Sequence, residues 1–283
     1  MLLVLAVLAA PVMQQGTDTT IALHGETRLE LSSADGGITV QTWSRNAIRV
    51  EADHDDDTRI EVDQGGRAVT LRARARYGPS EVSWRVTVPA EMALDLSSQS
   101  GDVRVTGSRG EVSVSSVEGS IAVQGGSGFI SLQSVEGDVD LTGASGRVKV
   151  STVDGKIGIR GASGDIKASA VDGNIMLDDV QSTEVEANTV DGEIRFSGAI
   201  RAGGRYSLSS HDGNVTVNAP DINAEVTVST FSGDFESDYP VTLKGTQNRG
   251  RMNFTLGSGG ARLDLESFDG TVTLRKGMGS RKP

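Results

Sequence analysis

Residues 116–123 read Ser-Val-Glu-Gly-Ser-Ile-Ala-Val, and residues 134–141 read Ser-Val-Glu-Gly-Asp-Val-Asp-Leu. The phrase returns as Thr-Val-Asp-Gly-Lys-Ile-Gly-Ile from Thr152, Ala-Val-Asp-Gly-Asn-Ile-Met-Leu from Ala170 and Thr-Val-Asp-Gly-Glu-Ile-Arg-Phe from Thr189. Its glycines Gly101, Gly119, Gly137, Gly155 and Gly173 are 18 residues apart. Gly192, Gly213, Gly233, Gly250 and Gly270 follow at intervals of 19, 21, 20, 17 and 20. A second series, Gly110, Gly128, Gly146 and Gly164 with Ser182 in the equivalent place, falls halfway between. The unit is therefore a nonapeptide in two alternating kinds, and the full period is 18. Self-similarity of this kind marks a repeat architecture.

Counted from each Gly, apolar residues fall at offsets two, four and seven. Offsets two and four hold pairs such as Ile121 and Val123, Val139 and Leu141, or Ile157 and Ile159. Offset seven alternates between Val135, Val153 and Val171 before an acid, and Ala144 and Ala162 before Ser. This offset is read as a core position too. Alternation over about five residues is the strand period. The Asp-Gly and Glu-Gly pairs mark turns that need a positive φ.

In a solenoid such units stack like on like, about 4.8 Å per coil. A meander of antiparallel hairpins gives residue n no reason to resemble n+18 more than n+9. The sequence thus predicts an all-β fold, a single-stranded parallel β-solenoid with 18 residues per coil and two short strands per coil. A hexapeptide β-helix fails, because it needs an aliphatic residue every sixth position. The calcium-binding nonapeptide roll requires G-G-x-G-x-D-x-U-x, whereas offset five here holds Gln124, Gln133, Thr142 and Arg160. From Gly101 to Gly270 about nine or ten coils are expected, a rod of about 45 Å. Its interior is Val, Ile and Leu, with Phe196, Phe235, Phe254 and Phe268 entering late.

The flanks divide the chain further. Residues 1–16 hold an apolar run, Leu2–Ala10, of signal-peptide length and too short to span a bilayer. No Lys or Arg precedes it, so an n-region upstream of Met1 is expected. No lipobox Cys follows, and no later segment nears 18 apolar residues, so an exported, soluble chain with no membrane-spanning segment is expected. Residues 17–96 carry strand patterns without the 18-residue period, at Ile48–Glu51, Arg59–Val62, Ala68–Ala75 and Val82–Val88. They read as an N-terminal antiparallel β region that caps the first coil, because an open solenoid end is a sheet edge. The acidic run His54-Asp55-Asp56-Asp57 reads as a solvated loop. Residues 97–276 are the solenoid repeats and 277–283 a basic tail, with fraying expected from Arg275 onward.

The segment from Trp43 to Glu51, then Val82-Ser-Trp-Arg-Val-Thr-Val-Pro89, then the Ser-x-[Asp/Glu]-Gly-x-[Val/Ile] units resemble the DUF4097 putative-adhesin family of bacterial envelope proteins. The related head-GIN putative auto-transporter adhesin domains are similar in the same way. The resemblance runs from about residue 20 to 275. It implies a β-solenoid of exported or membrane-tethered proteins, and it carries no catalytic motif.

Composition narrows function more than it names it. The 283 residues include 36 Gly, 6 Pro and no Cys, with Gly near twice its usual share of about 7%. Lack of Cys removes disulfides, thiolate zinc sites and Cys nucleophiles. A net charge of −11 argues against nucleic acid as a partner. The acids before the turn glycines, Glu118, Glu136, Asp154, Asp172, Asp191 and Asp212, stack in one column. They are read as caps of their own turns, accepting backbone N–H groups, rather than as a cation ladder; mixed Asp and Glu suits no metal site. Outward residues of the other strand are Glu111, Arg147, Lys149, Asp165, Lys167, Glu184 and Glu186, and Arg147 with Asp165 form an opposite-sign pair one coil apart.

The histidines His24, His54 and His211 share no ligand spacing, and His211 is expected half-buried at offset seven. Trp43 and Trp84 read as packing residues. No catalytic residue, cofactor or metal ligand is assigned. The function expected is an exported, non-enzymatic envelope binding module, with an envelope glycan or a surface protein as partner. A polysaccharide-active enzyme with its site in the irregular coils from Ser197 to Thr255, or a structural spacer, are the alternatives.

Overall fold

The computed structural model describes residues 15–78, 80–241 and 250–277. The signal-like segment falls outside these, apart from Gln15 and Gly16. Twenty-six strands form, and no helix occurs among the described residues. In chain order the first nine are β1 (Gln15–Ala22), β2 (Arg28–Asp35), β3 (Ile38–Trp43), β4 (Ala47–His54), β5 (Thr58–Gly65), β6 (Ala68–Ala75), β7 (Ser83–Pro89), β8 (Ala93–Ser100) and β9 (Val103–Ser108). The regular coils supply β10 (Val112–Glu118), β11 (Ile121–Gly125), β12 (Ser127–Glu136), β13 (Val139–Thr142), β14 (Ser145–Ser151), β15 (Ile157–Arg160), β16 (Ser163–Ser169) and β17 (Ile175–Asp178). Then come β18 (Gln181–Asp191), β19 (Ile194–Ser197), β20 (Arg205–Asp212), β21 (Val215–Ala219), β22 (Ala224–Thr230), β23 (Phe235–Ser237), β24 (Arg251–Leu256), β25 (Ala261–Asp269) and β26 (Val272–Lys276).

Each coil contributes one strand to each of two 13-stranded sheets. The chain runs down a strand of the first sheet, turns at the acid–Gly corner, crosses the second sheet and returns at the other corner. Pairing is parallel and in register at the period read from sequence, for instance Val112 with Ile130, Val148 with Ile166 and Ile121 with Val139. Offsets two and four point inward from both sheets, so Ile130, Leu132, Val139, Leu141, Ile157 and Ile159 are all fully buried. The fold is the predicted β-solenoid.

Its ends differ from the sequence reading. The coil β2–β3 runs parallel to β8–β9 and lies between it and β6–β7. Only β1, β4 and β5 pair antiparallel and cap that end. The last coil, β25–β26, likewise inserts between β20–β21 and β22–β23, with β24 antiparallel outside. In space eleven coils follow one another, a rod of roughly 50 Å. Gly270 therefore stacks on Gly213, and the irregular spacing through Gly233 and Gly250 records an inserted end coil and hairpin. Arg275 and Lys276, expected to fray, are in β26 and pair with Asn218 and Ala219.

The turn glycines set the coil spacing. Gly119 has φ +130°, and a Cβ there would sit 2.5 Å from the carbonyl oxygen of Gly101 in the adjacent coil. Gly143 also has positive φ, at +69°, yet faces open space. Gly119→Ala is expected to cost about 3 kcal/mol through backbone strain and overpacking together. Gly143→Asn, where a left-handed residue fits, should cost under about 1 kcal/mol. Urea unfolding midpoints of the two variants test this difference; similar losses would contradict it.

Candidate functional site

Stacking in register turns each repeat position into a column. One column leaves apolar side chains in solvent: Val117, Val135, Val153, Val171 and Val190 are each 43–53% exposed. It continues through His211, Phe268 and Phe231, which is 77% exposed. These positions were expected in the core, and the reason they are not is strand parity. Ile130, Leu132 and Ser134 face inward, and no positive-φ residue interrupts the alternation, so Val135 must face outward. At the other corner Gly143 and Gly161 do have positive φ, the alternation resets, and Ala144 and Ala162 are buried as read. His211 and Phe268 are accordingly exposed, Phe235 is half-buried, and Phe196 and Phe254 alone of the four late phenylalanines are in the core.

The aromatic end of the column is ordered by ring contacts. Phe231 stacks on Phe268 with centroids 4.7 Å apart and planes 6° from parallel, and His211 lies 4.7 Å from Phe268 on its other side. Beside the valines runs a groove of about 540 Å³, lined by Ser115, Gln133, Ser151 and Ser169 as well as by Val117, Val135, Val153 and Val171. Its floor includes buried small polar residues. In the groove the Ser134 and Thr152 hydroxyls donate to the Gly119 and Gly137 carbonyls one coil away, at 3.4 and 3.3 Å. Further along the column Thr189 donates to Gly173 at 3.0 Å, Ser210 to Gly192 at 2.8 Å and Ser267 to Gly213 at 2.8 Å. This is why the repeat has Ser or Thr two residues before its acid.

On the outer side of the valines stand the acids. Glu118, Glu136, Asp154, Asp172, Asp191, Asp212 and Asp269 are exposed at the turn. The sequence expectation that they cap their own turns is not met; among the described residues Asp35 alone does so, accepting the Gly36 N–H at 2.8 Å. The capping falls to the residue after Gly on alternate coils. Asp102 accepts from the Ser120 N–H at 2.9 Å, Asp138 from Lys156 at 2.8 Å, Asn174 from Glu193 at 2.7 Å and Asn214 from Thr271 at 2.9 Å.

The remaining candidates stay apart. Arg147 and Asp165 are register neighbours as read, but the ion pairs next to them on that face are Lys167 with Glu186 at 2.7 Å and Arg205 with Glu184 at 3.4 Å. The Lys167 ammonium, helped by the Asn188 amide, holds the Glu186 carboxyl below the usual carboxylate range. Glu111 lines a larger groove of about 760 Å³ at the opposite corner, where charges of both signs meet and Arg109 pairs with Glu91 at 2.8 Å. That groove is mixed in charge and lacks the apolar stripe. Lys149 lies on the outer face in register with Lys167.

Trp84 is buried, while Trp43 is partly exposed and donates its indole N–H to the Ala47 carbonyl at 2.8 Å. His54 meets the Thr17 hydroxyl at 2.8 Å, but its other ring nitrogen faces the main-chain carbonyl of Asp55, so no carboxylate orients it. His24 is exposed, and among the described residues no group of three His, Cys, Asp or Glu is placed to hold a metal. What the surface offers is a long, shallow contact face.

The two acidic positions make opposite predictions. Asp154→Asn with Asp172→Asn removes like charges about 4.8 Å apart that make no side-chain hydrogen bond among the described residues. The double variant should melt slightly higher at low salt, with the gain lost at high salt. Asp138→Ala removes the acceptor of the Lys156 N–H and should cost about 1 kcal/mol. Thermal melts at two ionic strengths, with and without calcium, separate the cases. A melting shift that requires calcium would contradict a column free of metal.

Residues 169–275 match the family Toastrack DUF4097. No curated protein matches the sequence. Similar solved structures include a putative adhesin from Bacteroides fragilis NCTC 9343, at 12% identity and TM-score 0.48, covering 92% of this chain and 97% of that one. Another is a putative adhesin from Parabacteroides distasonis ATCC 8503, at 13% identity and TM-score 0.42, with 93% and 98% covered. A putative cell adhesion protein from Clostridium sporogenes ATCC 15579 matches at 8% identity and TM-score 0.23, with 92% and 98% covered. The 18-residue repeat and its parallel stacking run into residues 169–275, the part of the chain that is similar to the Toastrack DUF4097 family.

Proposed function

We propose that the protein is an exported, non-enzymatic binding module of the cell envelope, and that it holds its partner along the valine column. The observation that carries this reading is the exposed apolar ladder itself. Five valines and two phenylalanines stand in one line across eight coils, His211 among them, where the same positions could be polar at no cost to the core. A contiguous exposed apolar patch with a polar rim marks an interaction surface. Contact is repeated and shallow, so affinity comes from the number of coils engaged.

Export rests on the apolar run Leu2–Ala10, which has the length of a signal-peptide core. An envelope glycan or a surface protein is the partner class that such a face suits. The net charge of −11 argues against nucleic acid as the main partner.

The test is retention of the purified protein on fractionated envelope material. Saturable retention is expected on one fraction. The combined variant Val135→Thr, Val153→Thr and Val171→Thr keeps strand-forming shape, and should weaken retention about tenfold by losing apolar contact. Unchanged retention in a variant with native circular dichroism would reject the valine column as the contact face.

A further inference from the structure

The valine groove has unlike borders, and those borders select among partners. We propose that its occupant is a basic amphipathic polypeptide segment, seated with its apolar stripe on the valines and its Lys or Arg side chains over the acid column. The inference rests on the reading of this groove as the binding face. Its first support is charge. Glu118, Glu136, Asp154, Asp172, Asp191, Asp212 and Asp269 follow the valines one per coil, and none takes part in an ion pair among the described residues. Carboxylates so placed repel one another by about 1 kcal/mol per neighbour even in water. A partner that brings cations relieves this repulsion, and one that brings anions worsens it.

The second support is spacing. Valines recur about every 4.8 Å along the rod, while an amphipathic helix presents an apolar anchor about every 5.4 Å. Over four turns the two drift apart by roughly 2–3 Å, within the reach of Leu or Lys side chains, so a short helix can lie in the groove by the helix-in-groove mode. Beyond the groove, at the far end of the same column, the rings of Phe268 and Phe231, 4.7 Å apart, offer aromatic surface to a Lys or Arg. On the inner border Ser115, Gln133, Ser151 and Ser169 supply donors and acceptors to the segment's polar flank. A neutral glycan would use that inner border yet leave the acids uncompensated. A second copy of this chain carries the same acids and a net charge of −11.

The experiment measures binding of synthetic peptides of about four helical turns to the full protein by fluorescence anisotropy. The probes are an amphipathic Leu/Lys peptide, its Leu/Glu counterpart and a Ser/Lys peptide without an apolar stripe. Saturable binding of the Leu/Lys peptide alone is expected, and it should fall steeply towards about 1 M salt, where the Debye length is about 3 Å. The triple Val→Thr variant and the pair Asp154→Asn with Asp172→Asn should each weaken it about tenfold. Asp55→Asn, Asp56→Asn and Asp57→Asn together reduce charge in a remote loop and should leave it unchanged. Equal weakening by the loop variant would mean attraction to net charge only, and would overturn the proposal. So would equal binding of the Leu/Glu peptide, or sedimentation showing a dimer that the Val→Thr variant dissolves. If no peptide binds while envelope retention still depends on the valines, this inference fails and the broader function stands; if the valines affect neither, both fail.

Discussion

The structure depends on how closely the turn glycines of adjacent coils approach. A Cβ on Gly101 would lie 2.6 Å from the Gly36 carbonyl oxygen, and the same contact recurs along the column. No side chain other than hydrogen fits there, and φ near +128° would strain any other residue at Gly101. Once these peptides stack, every other position of the coil is fixed in height relative to its neighbour. In-register parallel pairing is then the only arrangement that keeps all ladders bonded, and like residues fall on like. The repeat in the sequence is the record of that requirement.

Stacking at this distance also needs the turn carbonyls satisfied. Hydroxyls of the buried column do this at several coils, with Ser210 and Ser267 each 2.8 Å from the carbonyl of a neighbouring coil's glycine, while Ser116 makes no such bond. Each such bond contributes about 1 kcal/mol, and an unpaired carbonyl would cost more. Where Ala170 replaces the hydroxyl residue, the corner relies on its backbone bonds, such as the Asp172 N–H to the Val153 carbonyl at 2.8 Å. The inward side of the corner is thus committed to structure. What is left for recognition is the outward side, which is why the valine and acid columns, and not a pocket, are the features to interpret.

The period of 18, the strand alternation and the parallel stack were legible because each leaves a pattern within one or two repeats. The outward valines were legible in principle. Ile130, Leu132 and Ser134 share one parity and Val135 has the other, but hydrophobicity alone groups Val135 with Ala144. The difference lies in Gly143, whose φ of +69° resets the alternation, and backbone dihedrals are only indirectly written in sequence. The capping acids were misread for a related reason. Glu118 and Asp102 both flank a turn Gly, and only geometry shows that Asp102 reaches the Ser120 N–H of the next coil. The first coil did leave a signal: Ser33-Ala-Asp-Gly-Gly-Ile-Thr-Val40 is the repeat phrase, isolated from the others by the strands that cap it.

That isolation explains the interleaved ends. A stack of identical parallel coils ends in an unpaired edge that would accept the matching coil of another molecule. Here the outermost strands depart from the repeat. At one end β5 runs antiparallel on β6, and β4 runs antiparallel on β7 with β1 antiparallel on β4 in turn. At the other, β24 runs antiparallel on β22, and the short β23 ends the second sheet. In the first sheet a second copy's parallel coil meets a reversed strand at either end, β5 or β24, so the ladder cannot continue in register across both sheets. The coils that do carry the full phrase at each end, β2–β3 and β25–β26, lie one position inward. By placing them inside sequence-divergent neighbours, the chain keeps its repeat for the shaft and withholds it from the edges. The columns on the side of the rod are then a regular surface still open to a partner.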